Sequence, residues 1–338
     1  MATVAPNRRG IFYSAQARME ALNAYLFIAP YLLVTVVFTV GVILYAFYIS
    51  FTKFDLFTPP TWVGLGNYAK ALTPSGQFVH SLVNVIWYVV IVVPTQTALA
   101  LALATLINVK VRGSQIFRTV FYAPSVTSSV VITMIFWWMF LKTGYINFFL
   151  TKAWAAVGAN WLPIDWYNDP RGLFQLVFQA FGSNIPGSLS YLRGPSITWM
   201  VIMFQNIFTT APTFMIMFLA ALQEIPPTLY EAASIDGAGG WQKFTSITIP
   251  MLRPVLLLVI VLGTIGTWQV FDQVKILTAG GPLDTTLVPV YLIYSQALGT
   301  NAPPQMGYAS AMAFLLALII FIFTFVQRRY IESGSEQY

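Results

Sequence analysis

The sequence predicts an all-α, polytopic membrane protein with six transmembrane helices. Three observations carry this reading. Hydrophobic residues make up 57% of the 338 positions and charged residues only 8%, against about 25% in an ordinary soluble domain. Apolar runs of about twenty residues recur along the chain, the length needed to cross a hydrocarbon core of about 30 Å. These runs are apolar on all faces and do not alternate, which suits helices and argues against the strands of a closed barrel.

The six spans are read as roughly 24–50, 80–107, 117–141, 196–222, 254–276 and 306–327. Each is helical because backbone groups in hydrocarbon must find their partners within the chain. Residues 1–23 form an N-terminal segment ahead of the spans, and 328–338 a C-terminal tail. The apolar run from Asn23 to Phe51 is too long for a cleaved leader and has no small-residue cleavage site after a short core, so the first span is expected to be retained.

Basic residues set the orientation. Arg8, Arg9 and Arg18 precede span one; Lys110, Arg112 and Arg118 follow span two; Lys243 and Arg253 follow span four; Arg328 and Arg329 follow span six. A six-span chain puts all four segments on one side, which is expected to be cytoplasmic, with both termini inside. The +6 net charge therefore reads as a topology signal and not as a nucleic-acid surface. With no cysteine and one histidine, thiolate metal sites, disulfides and cysteine catalysis are excluded, and a histidine cluster for a metal is not available.

The external loop at 142–195 is rich in aromatics, including Trp154, Trp161, Trp166, Tyr167 and Tyr191. Two readings stand: an interfacial aromatic belt with turns, or a docking surface for an external partner. Asp272, the one acidic residue near a span interior, lies three positions from Lys275, and a helical pair is expected.

The polar segment at 223–253 between spans four and five is the most informative. Pro226 and Pro227 end span four, since proline cannot continue a helix interior. Thr228 and Glu231 have capping-box spacing. A short helix follows through Ala232, Ala233 and Ile235, and Gly237, Gly239 and Gly240 stop it. Trp241, Phe244 and Ile247 recur every three residues as a second apolar stripe.

The string EAASIDGAGGWQKFTSITIP (Glu231–Pro250) resembles the EAA loop of permease subunits in bacterial ATP-binding-cassette importers. The family pattern is EAA, three residues, Gly, nine residues, Ile, one residue, Leu-Pro. Here Glu231-Ala232-Ala233, Gly237, Ile247 and Ile249-Pro250 match it, with Ile249 in place of leucine, a volume-conserving exchange. Asp236 and Ala238 fit the carbohydrate branch. GLGNY at Gly64, RTVFYAPSV at Arg118, LTAGGPLDTT at Leu277 and GYASAM at Gly307 extend the resemblance over most of the chain, toward the maltose/glycerol-phosphate type of permease.

The resemblance implies a type I importer permease architecture in the bacterial cytoplasmic membrane. It implies a heterodimer with a second permease, two ATP-binding-cassette ATPase subunits and an extracytoplasmic solute-binding protein. Glu231, Ala232, Ala233, Asp236 and Gly237 would form the ATPase-coupling element. No GxxxxGKS/T string occurs, so the chain carries no phosphate-cradling loop. ATP and Mg would belong to the partner ATPases, and no cofactor is expected on this chain.

A sugar path needs neutral hydrogen-bonding groups. Spans four and five supply Asn206, Thr210, Thr213, Gly266 and Gln269 as candidates, with Asn206 foremost because an amide at that depth needs a partner; helix–helix hydrogen bonding is the competing reading. The function expected is that of a sugar-importer permease. Import of glycerol phosphate or a polyamine by the same architecture, and an ion-coupled carrier, are the alternatives. The first two would want charged residues along the path, and the last would want intramembrane carboxylates or histidines.

Overall fold

A computed structural model describes residues 15–108, 114–186, 192–300 and 303–332. Among them, five helices are long and apolar enough to cross a membrane: Arg18–Ser50, Gln77–Asn108, Ile197–Glu224, Arg253–Leu277 and Met306–Arg329. These are spans one, two, four, five and six. Span three is a broken pair, Ile116–Val126 and Ser129–Met139, bent by 95°.

The bend departs from the straight helix expected over 117–141, and its cause is local. Pro124 lacks an N–H and its ring collides with the carbonyl one turn back. Thr127 donates its hydroxyl to the Ala123 carbonyl at 2.8 Å and Ser125 to that of Tyr122 at 2.7 Å. Carbonyls near the break thus have partners inside the chain, as hydrocarbon requires. Span one carries its own irregularity, a π-turn at Thr35–Gly41. Span five pauses between helices Arg253–Trp268 and Asp272–Leu277.

Spans two, four, five and six build the core. Near the end opposite the 223–253 loop, here the far end, Tyr88 stacks on Trp199 at 4.6 Å within a cluster that includes Val92, Ile202, Trp268 and Met312. Toward the loop end a second cluster joins Ala100 and Ala104 of span two, Phe214 and Phe218 of span four, and Val259 of span five. Span one stays outside this core, with Phe27 89% exposed and Phe38 68%. It meets span six near the far end, where Phe47 packs edge-on against Phe314.

The far end carries structure that hydropathy did not suggest. A two-stranded hairpin pairs Thr52–Lys53 with Thr61–Trp62, and the GLGNYAK segment leads into helix Gly66–Ala71. Asn67 donates to the Ser50 and Thr52 carbonyls at 2.9 and 2.8 Å. Lys70 reaches Gln305 at 2.9 Å and lies 4.2 Å over the Tyr308 ring. The motifs at Gly64 and Gly307 therefore clasp the end of span one to the start of span six.

The aromatic loop folds on itself. It contains helices Tyr145–Ala156 and Leu173–Ala180. Asn147, 3% exposed, is its hub. Its amide donates to the Lys142 and Ile164 carbonyls, and its oxygen accepts from Trp161 Nε1 and the Ile164 N–H. Trp166 packs edge-on against Phe140, and Tyr167 donates to the Phe136 carbonyl. Trp161, Trp166 and Tyr167 thus spend their polar or ring faces inside the protein. Tyr191 lies outside the described residues, as do Arg8, Arg9, Lys110 and Arg112.

Candidate functional site

The 223–253 loop is a braced hairpin of short helices. The first runs Pro227–Ile235. Proline at its first position supplies a preset φ and wastes no N–H, so the helix begins one residue before Thr228. The expected capping box is not formed: the position ahead of the helix is Pro226, which has no side-chain cap, and Thr228 lies inside the first turn. The helix stops in a Schellman motif. Gly237 sits at φ +80°, its N–H bonds to Ser234 O at 3.2 Å, and the Ala238 N–H bonds to Ala233 O at 2.8 Å. That pair of bonds requires a left-handed residue, which glycine adopts without strain. The Asp236-Gly237-Ala238 string is therefore a helix terminator. The second helix, Gly240–Lys243, opens with Gln242 Oε1 accepting the Gly239 N–H at 2.8 Å.

Two side-chain bonds tie the arms together: Tyr230 OH with Thr248 Oγ1 at 2.8 Å, and Lys243 Nζ donating to Ser234 Oγ at 2.6 Å. Tyr230, Phe244, Ile247 and Ile249 pack against the loop-end core cluster. The anticipated Trp241–Phe244–Ile247 stripe is split, because a π-turn over Phe244–Thr248 changes the angle per residue. Phe244 and Ile247 turn inward, and Trp241 is left 75% exposed. Ile235 is 87% exposed. Glu231, Ala232, Asp236 and Gly237 are exposed and Ala233 is half-buried. The hairpin thus presents an acidic and apolar edge that is uncovered among the described residues.

On the other side of the loop-end core, a polar cavity of about 280 Å³ opens at the break in span three. Ser125 and Thr127 face it from the break, Gln205, Thr209, Thr210 and Thr213 from span four, and Gln273 from span five. No charged residue is in its lining. Gln205, 1% exposed, donates to Thr133 Oγ1 at 2.6 Å, while its carbonyl oxygen has no partner among the described residues.

Of the residues proposed from the sequence, Thr210 and Thr213 line this cavity. Asn206 does not: its Oδ1 accepts from Thr210 Oγ1 at 3.4 Å within span four. Gly266 and Gln269 are exposed on span five and are not part of this cavity's lining. Gln205, Thr209 and Gln273, which were not among the candidates, carry the same amide and hydroxyl chemistry and line the cavity. Ser125 and Thr127 were missed, because the signal that could have found them was Pro124 followed by two hydroxyl residues. The expected Asp272–Lys275 pair is absent. Asp272 sits at the first position of its six-residue helix, where the helix dipole favours an anion. Lys275 instead donates to Tyr294 OH at 2.9 Å and lies 4.2 Å over that ring.

Comparisons with known proteins bear on what these features serve. Residues 96–332 match the sequence profile described as "binding-protein-dependent transport system inner membrane component". A probable ABC transporter permease of Bacillus subtilis is 33% identical over 320 residues, covering 93% of this chain and 91% of that protein. A lactose transport system permease of Rhizobium radiobacter is 33% identical over 318 residues, covering 93% and 95%. A trehalose/maltose transport system permease of Thermococcus litoralis is 29% identical, covering 91% and 92%. The fold is shared with a chain of a bacterial alginate ABC transporter solved in complex with an alginate-pentasaccharide-bound periplasmic protein. There the TM-score is 0.73 at 18% identity, over 95% of this chain and 97% of that one. A profile match over more than half of the chain and relatives of this similarity settle the family: the chain belongs to the inner-membrane permease components of binding-protein-dependent ABC transporters.

Proposed function

We propose that this chain is one of two membrane-spanning subunits of an ATP-driven sugar importer, and that the 223–253 hairpin passes the motion of an ATPase subunit to spans four and five. The observation that carries the reading is the hairpin. Its inner side chains are packed into the ends of the spans, while Ile235, Trp241 and Glu231 face outward. A rigid element with one face in the core and one face free is built to be pushed. Spans four and five, which it joins, also line the polar cavity.

A neutral sugar is the substrate class this cavity favours. Its lining offers amides and hydroxyls without charge, whereas a phosphate ester or a polyamine would want a cation or carboxylates there. The lactose and trehalose/maltose permeases among the relatives point the same way. A second permease, two ATPases and an extracytoplasmic binding protein complete the proposed assembly, with ATP and Mg held by the ATPases. The loop end is the cytoplasmic end, and both termini are cytoplasmic.

The test is Glu231→Lys in the assembled transporter in proteoliposomes. The reading expects ATP hydrolysis to continue while sugar uptake falls, with membrane insertion unchanged. Full uptake by that variant would sink it.

A further inference from the structure

Helix Tyr145–Ala156 of the aromatic loop carries an apolar face that is uncovered among the described residues. Tyr145, Phe148, Phe149 and Lys152 recur at i, i+3, i+4 and i+7, the spacing of one helix face. Phe148 and Phe149 are 54% and 64% exposed, and Tyr145 is exposed beside them. The opposite face imposes this exposure. Asn147 is locked by its four hydrogen bonds. Ile146 packs on the Phe136–Phe140 cluster, and the Trp154 ring lies 5.1 Å from that of Trp161. With its inner face pinned, the helix does not roll, and the three rings stay outside.

The helix starts at the depth of a bilayer surface. Span four has 28 residues, about 42 Å at 1.5 Å per residue. A centred span therefore leaves about 6 Å beyond each side of a hydrocarbon core of about 30 Å. Phe140, at the end of span three, packs against Phe204 with ring centres 6.2 Å apart. Phe204 lies seven positions inside the far end of span four, which begins at Ile197, or about 10 Å. The chain thus turns about 4 Å inside the hydrocarbon edge. Gly144 permits a tight turn there, since a β-carbon would collide with the carbonyls of Trp138, Met139 and Leu141. Tyr145 then meets Trp138 of span three edge-on at 5.4 Å, and Trp138 is itself exposed, as is Met134 one turn back. The aromatic face continues the exposed side of a membrane span.

Lys152 distinguishes lipid from protein as the cover for this face. Its Nζ lies 5.9 Å over the Phe148 ring, and the one ion pair found among the described residues is Asp169–Arg171. The core of a protein–protein interface is depleted in lysine, because burying an ammonium without a carboxylate is costly. At a bilayer surface the same side chain lays its stem along the apolar face and lifts its charge to the headgroups.

We propose that this helix is an interfacial anchor lying in the plane of the far-end leaflet. Tyr145, Phe148 and Phe149 sit among the glycerol and upper acyl groups of phospholipid, and Lys152 meets a headgroup phosphate. Through the Tyr167 bond to the Phe136 carbonyl, the anchored loop also holds Ser129–Met139, the half of span three that borders the polar cavity.

The test places nitroxide labels on single cysteines of this chain, which has none of its own, with the other subunits freed of cysteine. The assembled transporter is studied in vesicles of phosphatidylethanolamine and phosphatidylglycerol, without binding protein. Collision of the label with oxygen, which concentrates among acyl chains, is compared with collision with a water-soluble nickel chelate. Labels at Phe148→Cys and Phe149→Cys should meet oxygen and exclude nickel, the reverse of a label at Leu283→Cys. Lys152→Glu sets a like charge against the phosphate and should raise nickel access at both sites; Lys152→Gln should raise it less. Nickel access at 148 and 149 equal to that at 283 would overturn the proposal in favour of water. Low access to both reagents would overturn it in favour of a protein neighbour. Nickel access unchanged by Lys152→Glu would overturn the phosphate contact. Both label sites are exposed, so each stands in for the other if one variant fails to assemble.

Discussion

The brace across the coupling hairpin offers the sharpest perturbation. Tyr230 OH and Thr248 Oγ1 are 2.8 Å apart. Thr248 is 5% exposed, and its only other bond, to the Lys243 carbonyl, is long at 3.5 Å. Tyr230→Phe keeps the ring packed on the loop-end core and removes only the hydroxyl. The loss of a neutral hydrogen bond costs about 1 kcal/mol, and leaving the buried threonine hydroxyl unpaired raises this toward about 2 kcal/mol. Thr248→Val removes the other partner. In a double-mutant cycle the two changes should be less than additive, with a coupling of about 1 kcal/mol. That corresponds to a roughly fivefold change in the population of the braced hairpin. If the hairpin transmits ATPase motion as one body, each variant should raise the ATP hydrolysed per sugar imported by up to about this factor. The assay is paired measurement of hydrolysis and uptake in proteoliposomes, with thermal unfolding of the same preparations. A fall in unfolding temperature with an unchanged ATP-to-sugar ratio would refute the transmission argument and leave the bond a stabilising contact only.

Two further outcomes are expected. Gly307→Ala should disrupt the clasp between spans one and six, because a β-carbon there would collide with the Thr52 carbonyl and press on that of Ile49. Backbone cannot yield cheaply, so a loss of about 1–3 kcal/mol in stability is expected, of the overpacking kind; a melting temperature equal to wild type would show that the two segments do not touch. The chain has no cysteine, so single cysteines report topology directly. Trp241→Cys should react with an impermeant thiol reagent only from the cytoplasmic side and Leu283→Cys only from the opposite side. Labelling of both from one side would invert or break the proposed orientation.

The number of spans was legible because bilayer thickness imposes a length on each apolar run, and that constraint is local. The hairpin's helix stop was legible for the same kind of reason: Asp236-Gly237-Ala238 needs a left-handed residue at its centre, and glycine announces it. Its start was misread because Thr228 and Glu231 have generic cap spacing, while Pro227, one residue earlier, already begins the helix. The bend in span three was written in Pro124, yet its angle depended on hydroxyls at Ser125 and Thr127 finding carbonyls. The polar groups were harder. Asn206 and Gln205 are neighbours with the same chemistry, and only the rotation of span four against span three sends Gln205 to Thr133, 72 positions away. Lys275 donates to Tyr294, nineteen positions on, although Asp272 lies three residues away in the same helix.

The sequence by itself determined the class of the molecule, its spans, and the segment between spans four and five that carries the family pattern, because hydropathy, glycine and proline act on the residues beside them. The tertiary structure decided which polar side chains share a cavity and how the far-end loops fold over the spans. Those outcomes depend on partners distant along the chain, and helix rotation, which no local pattern encodes, selects among chemically equivalent candidates.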